Sequence, residues 1–95
     1  MARLVIIRPI HPLPGRQEEA LKWLADTEPV RRQAGQISQL VMRNIVDRRN
    51  LEFVQSWESR EAYDRWRESA ERSRLSSERQ HYLTHDPTHL YEVIS

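Results

Sequence analysis

The sequence predicts an α+β fold of the ferredoxin-like βαββαβ type, with a four-stranded antiparallel sheet and two helices on one face. Three observations lead to this prediction. Four short segments are rich in apolar and β-branched residues, as strands are. Two longer segments carry apolar residues at helical spacing. Their order is strand, helix, strand, strand, helix, strand, and no repeat, linker or low-complexity tract interrupts it.

The first strand and the first helix fill the N-terminal third. Residues 3–10, RLVIIRPI, contain an unbroken apolar run, which favours a strand that is buried on both faces. The segment HPLPG at 11–15 is predicted to end the strand, because two prolines and a glycine disfavour further pairing. A helical pattern covers residues 16–26. Pro29 should kink or end this helix, and Gly35 should close the turn that follows.

A hairpin and the second helix come next. Residues 37–46 are rich in β-branched side chains, residues 47–50 are a polar turn, and residues 51–57 form the returning strand. Ser59 is the predicted N-cap of a helix over residues 60–74, because a serine hydroxyl can accept from a free backbone N–H there. The exposed face of this helix is predicted to carry two ion pairs four residues apart, Glu61 with Arg65 and Glu68 with Arg72.

The C-terminal segment is less regular. Residues 76–89 lack a clear periodicity, and HLYEVI at 89–94 is predicted to be the final strand. Both this strand and the first one are apolar on both faces, whereas two helices cover only one face of a sheet. An uncovered apolar face demands a partner, and the simplest partner is a second copy related by a two-fold axis. We therefore expect a homodimer.

The composition excludes several classes of function. Fifteen basic and 14 acidic residues nearly cancel, for a net charge of +1, and they are interleaved, so we expect no nucleic-acid partner. The predominance of arginine over lysine is interpreted as a compositional bias. There is no cysteine, and therefore no disulfide or thiolate chemistry. With no signal segment or membrane span apparent, the expected compartment is the cytoplasm.

One stretch, FVQSWESREAYDRW at 53–66, resembles the antibiotic biosynthesis monooxygenase (ABM) domain family. Members commonly close the third strand with a tryptophan, followed by a Ser/Asp turn and a helix that starts Glu-Ala-Tyr or Glu-Ala-Phe. Here Trp57 is followed by Ser59 and by Glu-Ala-Tyr at 61–63. The likeness covers nearly all of the chain. It implies a single ABM-like domain over residues 1–95, a homodimeric α+β barrel, and a site between each sheet and its helices.

The resemblance implies two hypotheses for function. The first is a cofactor-independent monooxygenase that oxidises a planar aromatic or quinol-type compound with O2, with neither metal nor cofactor. The second is a non-catalytic dimeric module that binds a small apolar ligand. A cavity closed by side chains, with no polar group pointing inward, would favour the second hypothesis.

Aromatic residues are the candidate walls of the site. Trp57, Tyr63 and Trp66 fall where the third strand meets the second helix, and Trp23 on the first helix could face the same space. Each could equally be part of the core, since large rings supply much of the buried area in small domains.

Polar candidates for catalysis lie elsewhere in the sequence. Asn44 interrupts a β-rich run, where it would position substrate or O2, and the neighbouring Arg43 would contact substrate. Arg43 and Arg8 also fit edge charges, dimer contacts or oxyanion stabilisers. His81 or His85 would take a proton, because the pKa of histidine lies near neutral pH.

A haem-degrading function fits poorly. Relatives of that type carry an asparagine in the first strand, a tryptophan on the second helix and a haem-ligating histidine further along that helix. Trp66 matches, but Ile7 lies in the middle of a first strand without asparagine, and residues 73–76 contain no histidine. A metal site that combines His81, His85 and His89 would need one continuous helix, and Pro87 interrupts such a helix. No metal is expected.

Overall fold

The computed structural model describes residues 3–95 and confirms the α+β class with an antiparallel sheet. The sheet has the order β2-β3-β1-β4, and β5 also pairs with β1. The strands are β1 (Leu4–Pro12), β2 (Gln36–Arg43), β3 (Leu51–Trp57), β4 (Leu83–His85) and β5 (His89–Glu92), and the helices are α1 (Gln17–Asp26), α2 (Glu28–Ala34), α3 (Arg60–Arg67) and α4 (Ala70–Arg79).

One face of the sheet packs against the helices to form the core. Burial alternates strictly along β3, as expected for a strand with one covered face. Ile6 and Ile10 on β1 are fully buried on the same side. The core cluster contains Leu4, Ile6, Ile10, Ala20, Trp23, Leu24, Leu51, Phe53, Trp57, Ala62, Tyr63, Trp66, Leu75 and Leu83.

The fourth strand of the predicted fold is broken into two. β5 pairs with the first half of β1, and β4 pairs with its last three residues, so the two short strands follow one another along the same side of β1. β4 has only three residues, too few to show a periodicity, and it lies where the sequence predicts none. Pairing also continues through Pro12, beyond the predicted end of the strand. A proline lacks the N–H donor but keeps its carbonyl, and the oxygen of Pro9 accepts from the amide of Asp86 (3.0 Å).

The first predicted helix is confirmed as α1, whereas the second is divided. α1 stops before Pro29, which lies in the first turn of α2, where its missing N–H leaves no bond unmade. Ser59 caps α3 as predicted, its Oγ accepting from the amide of Ala62. The second predicted helix breaks at Ser69, whose Oγ accepts from the amide of Arg72 and thereby begins α4. None of the helices within residues 3–95 has the length and apolarity needed to cross a membrane.

The break at Ser69 changes the predicted ion pairs. Glu68 ends α3, so Glu68 and Arg72 do not share a continuous helix, and no ion pair joins them. Arg60 pairs with Asp64 in place of the expected pair one residue later. The side chain of Arg72 is thereby left to face the interior.

The second face of the sheet has no helix over it. Direct pairing partners share a face, so Val5 and Ile7 of β1 lie on this open face beside Val54 of β3 and Tyr91 of β5. Leu40 of β2 lies opposite Val54 and is 52% exposed. The predicted second apolar face is therefore present in the structure.

Gly35 provides a test of how tightly the helix layer meets the sheet. It ends α2 at φ +121°, and a Cβ there would lie 3.0 Å from the Cβ of Ala62. We expect Gly35→Ala to lose about 1–3 kcal/mol through this overpacking, in addition to about 1–2 kcal/mol of backbone strain. Urea unfolding at fixed protein concentration measures the loss.

Gly15→Ala is the matched control. Gly15 also has a positive φ, +76°, but a Cβ there would have no atom within 4 Å. Only the backbone strain should remain, so its loss should be clearly smaller. Equal losses for the two variants would contradict the close approach at Gly35.

Candidate functional site

Three aromatic rings meet where β3 joins α3. Trp57 ends β3 with no solvent exposure. Its ring centroid lies 5.5 Å from that of Tyr63, edge to face, and 5.9 Å from that of Trp66. A Cβ on Gly35 would meet the Trp57 ring at 3.8 Å, so the start of β2 lies against the same ring. Trp57 thus anchors this corner of the core, and Tyr63 and Trp66 extend from it along α3.

A cavity of about 40 Å³ lies between the sheet and the helices, next to these rings. Trp66 and Tyr63 form part of its wall together with Phe53 of β3 and Trp23 of α1. A site of this size holds about three water molecules. Cavities that enclose a small-molecule ligand usually exceed roughly 300 Å³. A ligand would therefore have to displace side chains that now occupy the space.

Four arginines also line the cavity, together with Leu24, Gln55, Leu75 and Ser76, and their number is its most unusual feature. Arg8 comes from β1, Arg31 from α2, and Arg72 and Arg79 from α4. Arg8 lies between the buried positions 6 and 10, so its side chain faces the helices. Arg72 and Arg79 are seven residues apart, which places them two turns apart on one side of α4.

Arg31 is fixed by neutral acceptors. Its Nη2 donates to the carbonyl of Leu24 (2.6 Å), its Nη1 to the hydroxyl of Thr27 (2.9 Å), and its Nε to the Gln39 side chain (3.1 Å). The guanidinium is 5% exposed and lies 5.6 Å from the centroid of the Phe53 ring. These bonds tie α1 and α2 to β2, so Arg31 has a structural role and also holds a positive charge beside the cavity.

The other three arginines are less constrained. Nε of Arg8 donates to the hydroxyl of Thr88 (2.9 Å) in the break between β4 and β5. The side chains of Arg72 and Arg79 make no hydrogen bond or ion pair with any residue of the range 3–95. Both can therefore move without breaking a polar contact.

No carboxylate within residues 3–95 forms an ion pair with these four arginines. The seven ion pairs of this range join other basic side chains to acids, mostly on helix surfaces. Burial lowers the pKa of Arg31 to about 10, with a contribution from Arg8 and against the opposing effect of Glu28. Burial also lowers the pKa values of Arg8 and Arg79, and neighbouring arginines lower them further. Arginine side chains stay cationic at neutral pH in proteins, so the cavity is lined by positive charge.

His85 is close enough to Arg79, Arg8 and Arg72 to feel their charge, but it is not among the residues that line the cavity. It is directly opposite the buried Ile10 in the β1–β4 pairing, so it is on the helix-facing side of the sheet. Burial lowers the pKa of His85, and the positive charges of Arg79, Arg8 and Arg72 lower it further, although a bond to the backbone of Asp86 opposes them. Its Nδ1 lies 2.7 Å from the carbonyl oxygen of Asp86. A carbonyl only accepts, so Nδ1 carries the proton and Nε2 presents a lone pair.

The structure places the remaining sequence candidates away from the cavity. Arg43 is exposed at the end of β2 and donates to the carbonyl of Arg48. Asn44 is exposed in the turn that follows, where its Oδ1 accepts from the amides at 46 and 47. His81 is exposed in the turn after α4. None of the three lines the cavity, and Asn44 has a turn-forming role that accounts for its position in the sequence.

The arginine cluster is the part of the site that sequence reasoning missed. The sequence leaves Arg8 open among an edge charge, a dimer contact and an oxyanion stabiliser, and it predicts Arg72 as the solvated partner of Glu68. A detectable signal was present: Arg8 shares a strand face with Ile6 and Ile10, so its charge points into the core. No group of three or more His, Cys, Asp or Glu side chains in the described range could hold a metal ion.

Comparison with known proteins gives a family assignment. Residues 3–76 match the family described as "Antibiotic biosynthesis monooxygenase". That match covers well over half of the chain. No curated protein matches this chain.

Solved structures share the whole fold at low sequence identity. SnoaB, described as a cofactor-independent oxygenase from Streptomyces nogalater, superposes with a TM-score of 0.80 at 14% identity, over 100% of this chain and 96% of that chain. A Bordetella bronchiseptica protein assigned as an antibiotic biosynthesis monooxygenase has a TM-score of 0.79 at 18% identity, over 100% and 98%. A conserved protein from Methanosarcina mazei has a TM-score of 0.75 at 14% identity, over 96% and 92%. At such identities these likenesses establish the fold alone.

Proposed function

Since the chain belongs to the antibiotic biosynthesis monooxygenase family, we propose that it is a monooxygenase that oxidises a planar aromatic or quinol-type compound with O2. The observation that carries the proposal is the cavity between sheet and helices, with aromatic walls and cationic side chains directed inward. Electron-rich phenols become oxidisable by O2 once they are deprotonated. A site that holds the ring, takes the proton and stabilises negative charge meets these requirements without a cofactor.

The proposed reaction uses both atoms of O2. The substrate hydroxyl loses its proton to Nε2 of His85, and the resulting enolate transfers electrons to O2, so that a carbon–oxygen bond forms. The peroxide then breaks at its O–O bond. One oxygen stays on the ring carbon, and the other leaves as water with two hydrogens taken from the substrate. A quinol plus O2 thus gives a hydroxyquinone plus water, and a protonated His85 returns its proton to the leaving oxygen.

The roles of the surrounding side chains follow from charge and shape. Trp66 and Tyr63 would stack against the ring of the substrate, which is a favourable contact for any planar aromatic compound. Arg8 would stabilise the enolate and the peroxide, because a positive charge in a site shielded from water favours a developing anion. In this proposal Trp57 supports Trp66 from behind and does not contact substrate.

The inward arginines support the catalytic hypothesis over the binding module, which calls for a cavity without inward polar groups. The haem alternative gains no support, since α3 carries Trp66 but neither α3 nor α4 contains a histidine that could ligate iron. Binding without O2 consumption would identify a binding module.

Trp66→Phe tests the aromatic wall. O2 uptake with a panel of anthrones and hydroquinones should exceed the background rate of autoxidation, and the variant should lower kcat/KM about ten- to a hundredfold, since a loosely held ring spends less time in a reactive position. Thermal unfolding checks that the variant is folded. Uptake at background for the whole panel, or an unchanged kcat/KM in the variant, would contradict the proposal.

The pH dependence tests His85. Because its pKa is lowered from the ordinary value of 6.5, the side chain is neutral at pH 7, and the rate should fall only when the pH drops below 6.5. His85→Gln should remove this acid limb and lower kcat about a hundredfold or more. His81→Gln, which changes an exposed histidine, should keep both the limb and the rate. If His81→Gln removed the acid limb and lowered kcat while His85→Gln kept both, the base would be His81.

We also propose that the open face of the sheet is the interface of a homodimer. Val5, Ile7 and Val54 are half-buried there without a covering layer, and Leu40 is half-exposed. Sheet-to-sheet packing of two copies would remove this apolar face from water, which is the main driving force for association.

Sedimentation equilibrium tests the dimer. The protein should sediment at twice its 11.4 kDa chain mass. Leu40→Arg should shift the equilibrium to monomer, because it places a desolvated charge in the interface. Ala25→Arg, on the exposed side of α1, is the control and should leave the dimer intact. A wild-type monomer at micromolar concentration would refute the interface.

A further inference from the structure

The four arginines carry more charge than the oxidation of a neutral phenol requires. One or two donors suffice to stabilise an enolate, as oxyanion holes show. Here four guanidinium groups approach one cavity of about 40 Å³. Like charges at such distances repel one another, and none of the carboxylates in residues 3–95 forms an ion pair with them.

The arrangement distinguishes fixed from movable charges. Arg31 is held by three neutral partners and cannot turn toward a ligand without losing them. Arg8 donates to Thr88 through Nε and interacts with Tyr63. Arg72 and Arg79 are half-buried and have no polar partner among the described residues. The site therefore has one fixed guanidinium group, that of Arg31, and two movable ones, those of Arg72 and Arg79.

Movable guanidinium groups are well suited to bind one class of ligand, the carboxylates. Guanidinium groups bind carboxylates through two parallel hydrogen bonds, and a bond between two charged groups is about twice as strong as a neutral one. The lining also contains aromatic rings, so the anion would be attached to a flat apolar body. We propose that the substrate is an aromatic carboxylate, whose carboxylate is bound by Arg72 and Arg79, with Arg8 and Arg31 providing the surrounding positive charge.

This inference rests on the proposed function, because it concerns the same cavity. It adds that the substrate carries a permanent negative charge besides the hydroxyl that is deprotonated. The class of reaction that supplies it must leave a carboxylate on or beside a phenolic ring. The carboxylate would offset part of the positive charge and relieve the repulsion among the arginines.

Three probes test the proposal by calorimetry at one fixed ionic strength. Gentisate is a hydroquinone with a carboxylate, gentisamide has the same shape but a neutral amide, and inorganic phosphate is an anion without a ring. We expect gentisate to bind about ten- to a hundredfold more tightly than either of the others, as a charged hydrogen-bonded pair implies. Equal binding of gentisate and gentisamide would overturn the carboxylate site. Equal binding of gentisate and phosphate would overturn the aromatic part.

Substitutions locate the site. Arg72→Gln and Arg79→Gln should each weaken gentisate about tenfold and change gentisamide less than about threefold. Arg74→Gln removes the same charge from the same helix, but Arg74 is exposed and pairs with Glu78, so both affinities should stay unchanged. Equal weakening of both ligands by the α4 variants would indicate a general packing role and overturn the proposal.

Two further readouts keep this test separate from folding and from turnover. Removing one of several mutually repelling charges should leave the thermal unfolding temperature unchanged or raise it, so a folded variant is expected. If gentisate binds selectively but no compound supports O2 uptake, the proposed monooxygenase activity fails and the anion site stands. If neutral quinols are oxidised and gentisate has no advantage in binding, the activity stands and the anion site fails.

Discussion

The packing of Trp57 is the constraint on which the rest of the fold depends. Its ring is fully buried at the end of β3, and the first turn of α3 and the start of β2 both lie against it. Only a glycine at 35 leaves room for this three-way approach. Since α3 begins from this corner, the direction in which Tyr63 and Trp66 point is set by the core. The cavity wall is thus positioned by the same contacts that stabilise the domain.

The elements with strong local signals could be predicted from the sequence. The alternation of β3, the cap at Ser59 and the close of α2 at Gly35 each depend on residues that are near one another in the chain. The three-residue β4 and the pairing of Pro12 could not, because both are determined by the distant edge of β1. The helix break at Ser69 was missed for a different reason: a serine inside an amphipathic pattern is compatible with either a surface position or a new N-cap.

The site was harder to predict than the fold. Of the three predicted wall residues, Tyr63 and Trp66 line the cavity and Trp57 does not. The arginines come from β1, α2 and α4, and only the tertiary structure brings them together. In β1 the unbroken apolar run concealed which face is inward, and with it the direction of Arg8. Asn44 attracted attention as an unusual residue in a strand, but the strand ends before it and the side chain bonds the turn.

The interruption between β4 and β5 has a consequence for behaviour in concentrated solution. Unpaired strand edges are templates on which other chains add, and long flat edges favour aggregation. At this edge of the sheet, a strand from another molecule could pair only with β4, which has three residues, or with β5, which has four. The segment that separates β4 from β5 contains Pro87. Neither strand is long enough to nucleate a stable intermolecular ladder. The irregular border thus protects a chain that exposes apolar side chains nearby.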